Sequence, residues 1–245
     1  MIDLKPHRKQ IAQVERRLML RGALSVGALS LLGGCDLEDH DTVDRVLYAM
    51  LKFNDRAQAW LFDRNKLAAE FPASAITRPP RFNAYYQEYQ VRTVDPGTWR
   101  LEVGGLVADK RPFTLADFRG MAQHSQITRH ICIEGWSQIG QWSGVRLSDF
   151  LARVGADTRA RYVGFKCFDD YSTSIDMASA LQPQTILALD FDGAALDPPF
   201  GAPLRLRIPT KLGFKSAKNL SSIFVSNTNP GGYWENQGYN WFSGS

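Results

Sequence analysis

The sequence predicts an α+β chain with a mixed, mostly antiparallel β-core and helices packed around it. Three observations predict this. Short runs alternate apolar and polar residues and then meet a turn, as at 99–103 before Gly104-Gly105 and at 162–168 before Asp169-Asp170. Between the strand-like runs lie short segments opened by helix-capping residues, Thr114 and Ser148. Finally, 245 residues with 44% hydrophobic and 22% charged side chains can bury a substantial core, as one large domain or two small ones, and are neither disordered nor membranous as a whole.

In order, the chain opens with Arg16-Arg17-Leu18-Met19-Leu20-Arg21 and an apolar stretch, 22–32, with no acidic residue before Asp36. This is the pattern of an export signal, too short to span a bilayer comfortably as a permanent helix. The paired arginines resemble a twin-arginine signal, a route that carries folded proteins. Leu32-Gly33-Gly34-Cys35 closes the run either as a lipoprotein processing site or as an ordinary small-residue cleavage site. The cysteine directly after small residues favours the first, so the expectation is a periplasmic protein lipid-anchored through Cys35. The net charge of +4 owes much to this terminus and makes no case for nucleic acid.

From 41 to 71 apolar residues fall at helical spacing, which predicts one or two amphipathic helices packed across the main domain. Thr77-Arg78-Pro79-Pro80 breaks the pattern, and 81–89 is dense in polar aromatics. Residues 99–105 predict a strand and turn. Thr114 and Asp117 form a capping box, and Ser148 caps a helix that runs to Val154 and stops at Gly155. Residues 162–168 predict a strand, and 189–193 a turn at Asp192-Gly193.

The chemistry concentrates at Arg129-His130-Ile131-Cys132-Ile133-Glu134-Gly135-Trp136-Ser137, where a strand-like run carrying one thiol breaks at a glycine. Positive charge at Arg129 and His130 would favour the thiolate, the form that attacks or binds metal. Read alone, a cysteine between isoleucines is more often a buried structural thiol. Three cysteines, at 35, 132 and 167, argue against a disulfide framework, though a Cys132–Cys167 bridge stays open. The second concentration is 200–218, where Arg205, Lys215 and Lys218 surround a glycine; such a segment either presents cations and backbone N–H groups to a phosphate or is a solvated basic face. Zinc is disfavoured by the lack of C-x-x-C or clustered histidines, and cysteine hydrolysis by the lack of a recognisable base beside Cys132.

The run C-x-E-G-W-S followed by W-S-G-V-R-L at 132–147, with G-A-P-L-R and K-L-G-F-K-S-A-K at 201–218, resembles the sulfite-oxidase-like molybdopterin oxidoreductases, nearest the methionine-sulfoxide reductase branch. The resemblance covers about 81 to the C-terminus. It implies the sulfite-oxidase molybdopterin-domain fold and a molybdenum–molybdopterin cofactor, which brings its own dithiolate and needs one soft thiolate from the chain, Cys132. It further implies pterin contacts from Asn83, Tyr86, Gln87, Cys167, Arg205, Lys215, Ser216, Ala217 and Lys218. Phe200 departs from the family, where a polar residue commonly precedes Gly-Ala-Pro.

Domains are expected at 1–35 (export signal), 36–76 (helical extension) and 77–245 (molybdopterin-binding domain). Sulfite oxidases carry Cys-Ala-Gly-Asn-Arg after the ligand and an appended immunoglobulin-like domain. This chain has Cys-Ile-Glu-Gly-Trp and no such segment, so the expectation is a monomeric, reductase-like enzyme acting on a small oxidised substrate, an S- or N-oxide. With no C-x-x-C-H heme motif, electrons are expected from a separate membrane partner, in this family often heme-containing or quinone-linked. The rivals are a sulfite-oxidising enzyme of the same fold and a non-catalytic ligand-binding lipoprotein.

Overall fold

A computed structural model describes residues 40–245 apart from Tyr85, so the predicted export signal and Cys35 lie outside the described residues. The chain divides into two units at Lys52/Phe53. Of the first, only the opening of helix α1, His40–Leu61, is described. Everything below belongs to the second.

The helical spacing of 41–71 does yield a helix, but the expected apolar packing fails at its end: Trp60 and Leu61 are 84% and 72% exposed. The last turns are held by polar contacts instead. The Asp55 carboxylate accepts Phe242 N (2.8 Å) and the Gln58 carbonyl accepts Gly244 N (3.1 Å).

Among the described residues nine strands make two sheets. In the first, β1 (Glu102–Gly105) pairs in parallel with β9 (Leu220–Ser226), which pairs antiparallel with β4 (Tyr162–Cys167), itself paired antiparallel with β5 (Ser172–Asp176). In the second, β2 (Gln123–Ile131) and β3 (Ser137–Arg146) form a long hairpin, β3 pairs with β6 (Ile186–Phe191), and the far edge of β6 carries β7 (Ala194–Ala195) and β8 (Arg205–Arg207), all antiparallel. The prediction of a mixed, mostly antiparallel core is met, with β1–β9 its one parallel pairing among the described strands. Gly144 marks a shift in register of β3 against β6, and a Cβ there would lie 2.0 Å from the Leu187 carbonyl oxygen; only glycine lets the two backbones come so close.

Short helices cover the sheets. Helix α2 (Leu115–Arg119) starts on the predicted box: Thr114 Oγ1 accepts Asp117 N (3.2 Å), and the Asp117 carboxylate accepts Thr114 N (2.7 Å). Helix α3 (Leu147–Arg153) corrects a prediction. Its N-cap is Arg146 without a side-chain cap bond, and Ser148 lies one residue inside, with its hydroxyl on Asp149. Gly155 does stop it, at φ +61°. Helix α4 (Met177–Ala180) is capped by Asp176, which accepts Ser179 N at 2.7 Å.

The main core gathers Trp99, Phe113, Phe118 and Phe150, with Phe150 5.2 Å from Phe113 and 5.1 Å from Phe118 centre to centre. The inward face of β2 is different in kind. Its buried residues are Gln126, Thr128 and His130, polar throughout, and they lead along the strand to Cys132.

Candidate active site

Beyond Ile131 the hairpin turns at once. Cys132 N donates to Trp136 O (2.9 Å), Gly135 N donates to Cys132 O (3.1 Å), and Gly135 takes φ +90°, a conformation that costs a side-chain-bearing residue energy. The turn therefore lifts the thiol off the sheet, as the broken apolar run predicts. It faces a cavity whose walls come from four further segments: Asn83, Ala84 and Tyr86; Asp169 and Tyr171; the turn from Gly213 to Lys218; and Trp234 with Tyr239. Both Cys132 and Cys167 are free, so the bridge left open by the sequence does not form.

The electrostatics at the thiol overturn one expectation. On β2 alternate side chains face opposite ways. Arg129 points outward and lays its guanidinium over Phe71 (5.1 Å), while His130 points inward and is 2% exposed. Burial, reinforced by Arg207, Arg205 and Lys218, holds the His130 imidazole well below its usual range, so it is neutral. Without a cation beside it, the Cys132 thiol is pushed up by burial, and the Glu134 carboxylate, 3.7 Å from Sγ, adds to the rise. The same Glu134 oxygen accepts Trp136 Nε1 at 2.9 Å. The neighbouring side chains therefore do not favour the thiolate.

Of the residues implied by the resemblance, six meet at the cavity: Cys132, Asn83, Tyr86, Ser216, Ala217 and Lys218. Asn83 Nδ2 is 3.4 Å from His130 Nε2, and Tyr86 donates its hydroxyl to Asp169 Oδ2 (3.1 Å). Lys218 Nζ donates to the carbonyls of Asn83 and Pro199, tying two loops together. The other four do not reach the wall. Gln87 closes a capping box with Gln90 on an exposed turn. Cys167 is buried in β4, where desolvation and Asp169 push its thiol well up. Arg205, fully buried, donates to Phe200 O (2.8 Å) and Ser216 O (3.0 Å) and lies 4.7 Å over Trp142. Lys215 donates to Ser174 O (2.9 Å) and to Glu235. These cations serve carbonyls and a carboxylate behind the wall. Phe200 likewise stacks on Phe191 (4.9 Å) and not on the cavity.

Sequence reasoning missed Glu134, Asp169, Tyr171, Phe214, Trp234 and Tyr239 as wall residues. Glu134 was signalled by its place two residues after the thiol, and Trp234 and Tyr239 by the aromatic tail. Asp169 and Tyr171 gave only a turn.

Do these residues suit a molybdopterin? One soft thiol stands on the wall, which matches a group that brings its other sulfur donors. Behind Asn83 and Gly213 sits His130, whose Nδ1 is buried without a partner; a Cβ on Gly213 would come within 2.4 Å of its Nε2. Arg207 Nε and Nη1 are also buried and unpartnered. Arg205, Arg207 and Lys218 all bear on this histidine, so positive charge and spare polar atoms lie just behind the cavity wall. Orphaned buried donors cost about 1–3 kcal/mol each, and an anionic, acceptor-rich group is what offsets them. The residues fit.

Comparison with known proteins points the same way. At 55% identity over 237 residues, covering 97% of this chain and 90% of its own, the chain is similar to a putative protein-methionine-sulfoxide reductase subunit, YedZ1, of Azospira oryzae. The catalytic subunits MsrP of protein-methionine-sulfoxide reductases from Ralstonia nicotianae and Xanthomonas axonopodis pv. citri are each 32% identical, over 58% and 54% of this chain. The matches span 48% and 46% of those two proteins. Among solved structures, the sulfane dehydrogenase SoxCD of Paracoccus pantotrophus shares the fold, with TM-score 0.53 at 20% identity over 56% of this chain and 40% of its own. Residues 88–234 match the oxidoreductase molybdopterin-binding domain, and with a cavity that suits the cofactor and a thiol placed on its wall, the chain belongs to the molybdopterin-binding oxidoreductases.

Proposed function

We propose that this chain reduces a neutral S-oxide, such as methionine sulfoxide, to the thioether, with molybdenum held by Cys132. The observation that carries the reading is the chemistry of the cavity wall. Cys132 is joined there by two carboxylates, Glu134 and Asp169, and by the rings of Tyr171, Phe214, Trp234 and Tyr239. The only basic side chain among the lining residues, Lys218, has its ammonium on two carbonyls. Such a wall suits a neutral sulfur compound, whose polarisable sulfur packs well against aromatic rings.

When bound, the cofactor supplies two-electron oxygen-atom transfer. The balance is one S-oxide, two electrons and two protons giving one thioether and one water. The chain's own part is to supply the thiolate from Cys132, to hold the pterin through Asn83, Tyr86 and the turn at Ser216, Ala217 and Lys218, and to orient the oxide between the aromatic rings. Electrons come from a separate membrane-bound donor, consistent with the subunit names of the relatives. The protein is exported to the periplasm by its twin-arginine-like segment and anchored by lipid at Cys35. The helical extension ends and the cofactor domain begins near residue 77.

The test is chain produced in an export-competent host that makes molybdopterin. Expected are about one molybdenum per chain and turnover of methionine sulfoxide with a reduced artificial donor, far exceeding sulfite oxidation with an artificial acceptor. A chain free of molybdenum under those conditions, or one that oxidises sulfite and leaves the S-oxide alone, refutes the reading.

A further inference from the structure

Two charged residues that the reaction does not use stand directly behind the aromatic wall. Lys215 follows Phe214, and Glu235 follows Trp234; Phe214 and Trp234 line the cavity, while the side chains of Lys215 and Glu235 are 0% and 3% exposed. The Lys215 ammonium donates to Glu235 Oε1 (2.5 Å) and to Ser174 O (2.9 Å), and the same carboxylate oxygen accepts Thr173 Oγ1 (2.5 Å). Two neighbouring residues of β5 thus bind both members of the pair.

The chain around Glu235 is shaped to let this happen. A Cβ on Gly232 would come within 2.2 Å of Glu235 Oε2, so the carboxylate packs directly against the Gly232 backbone and a side chain there would displace it. Ser174 Oγ donates to Gly231 O (2.6 Å) and accepts Trp241 Nε1 (2.9 Å), which pins the segment on both sides of Glu235. On the cavity side the rings meet edge to face: Trp234 and Tyr239 at 5.0 Å, Phe214 and Tyr239 at 6.2 Å. Tyr171 adds a bond from its hydroxyl to Phe214 O (2.7 Å).

We propose that Lys215 and Glu235 are a positioning pair that sets the spacing of the aromatic wall, and with it the fit of the thioether oxide. The reasoning turns on what a buried ion pair is worth. Desolvation of two charges consumes most of their attraction, and apolar replacements of similar volume are often neutral in stability, so stability alone is a weak reason for the pair. Geometry is a better one. An ion pair fixed by two further hydrogen bonds permits one separation of the backbones at Phe214 and Trp234, whereas apolar side chains slide. The inference rests on the proposed S-oxide reading for its substrate, but not for the pair itself.

The test compares the molybdenum-loaded wild type with Lys215→Met/Glu235→Leu and with Glu235→Gln, which keeps an acceptor for Thr173 and Lys215. Expected in the double variant is molybdenum content like wild type, with KM for methionine sulfoxide raised about tenfold or more, a binding loss of about 1.4 kcal/mol, and kcat changed far less. Glu235→Gln should fall between. Backbone amide exchange at Asn236, Gln237 and Tyr239, which donate to Gly232 O, Trp234 O and Trp234 O, should quicken in the double variant, with or without substrate. If exchange quickens and wild type reduces no S-oxide, the substrate reading falls and the pair stands. Unchanged exchange overturns the pair whatever the kinetics, and so does an unchanged KM in an enzyme that turns over.

Discussion

Replacing Cys132 with alanine separates a metal ligand from a packing residue, because the structure sets how little the fold should notice. The thiol is 8% exposed but sits on a turn whose backbone bonds, Cys132 N to Trp136 O and Gly135 N to Cys132 O, do not involve the side chain. What is lost is one sulfur atom from a cavity wall, about 1 kcal/mol of burial. For a unit of this size that lowers the unfolding midpoint by about 2–4 °C. The comparison has to be made between cofactor-free proteins, since a ligand bound by one of them alone adds its own stability. Loss of function, in contrast, should be total: no turnover of methionine sulfoxide with a reduced donor, while the pterin, and the molybdenum on its own dithiolate, are largely kept, since the pterin's contacts lie elsewhere on the wall. Molybdenum per chain, turnover and thermal unfolding of the two proteins side by side make the assay. Wild-type turnover in Cys132→Ala would refute the ligand assignment. A midpoint lower by about 10 °C or more, several times the burial estimate, would make the thiol a structural one after all.

Two further substitutions test how the scaffold is held. Thr114→Ala should cost about 1 kcal/mol by opening the capping box of α2. Asp117, held down to about 2 chiefly by the Thr114 N–H, with Arg111 and the Thr114 hydroxyl assisting, contributes stability above its unfolded value that is lost as pH falls through about 2. The gap in urea midpoint between wild type and Thr114→Ala should therefore narrow from pH 5 towards pH 2, and a constant gap would count against the hydroxyl–carboxylate bond. Gly144→Ala should cost about 3 kcal/mol or more, because the clash at 2.0 Å is with a backbone oxygen that no rotamer relieves. Urea unfolding within about 1 kcal/mol of wild type would show that β3 and β6 do not need the close approach.

What was legible in the sequence was local. The period of β2 and its break at Gly135 placed Cys132 on a turn, the Thr114–Asp117 spacing placed a helix start, and Asp192-Gly193, both at positive φ, placed the hairpin between β6 and β7. Each depends on neighbours within a few residues. What was hidden depends on partners far along the chain. Nothing near Glu102 says that β1 will run parallel to β9, and nothing near Lys215 says that Glu235 will take its charge. The helix of 40–61 was found by its spacing, but spacing reports a face and not what covers it, so Trp60 was expected inside and lies outside. Arg129 and His130 misled for a related reason: adjacent residues on a strand face opposite ways, and the one turned inward lost its charge to burial.

The basic run at 205–218 shows why a motif can mark the right place while misassigning its members. Four of the five cations are buried and Lys218 is half-buried at the cavity wall, and desolvation lowers every one of them, Arg205 and Arg207 to about 9 and Lys211 to about 8. They divide by partner. Lys211 has Asp176 at 3.5 Å and Lys215 has Glu235, so both are neutralised inside the protein and act on structure. Arg205, Arg207 and Lys218 have no carboxylate at ion-pair distance among the described residues; their donors go to carbonyls, to Thr128 Oγ1, or, for two nitrogens of Arg207, to nothing. Three uncompensated charges in a water-poor interior are costly unless something anionic enters their field. They lie close enough to His130 to reinforce the burial that holds it low, and His130 lies against both Asn83 and Gly213 on the cavity wall. The unneutralised part of the run, Lys218 on the cavity wall with Arg205 and Arg207 behind it, therefore acts on the site chiefly as a preset field. The neutralised part holds the walls.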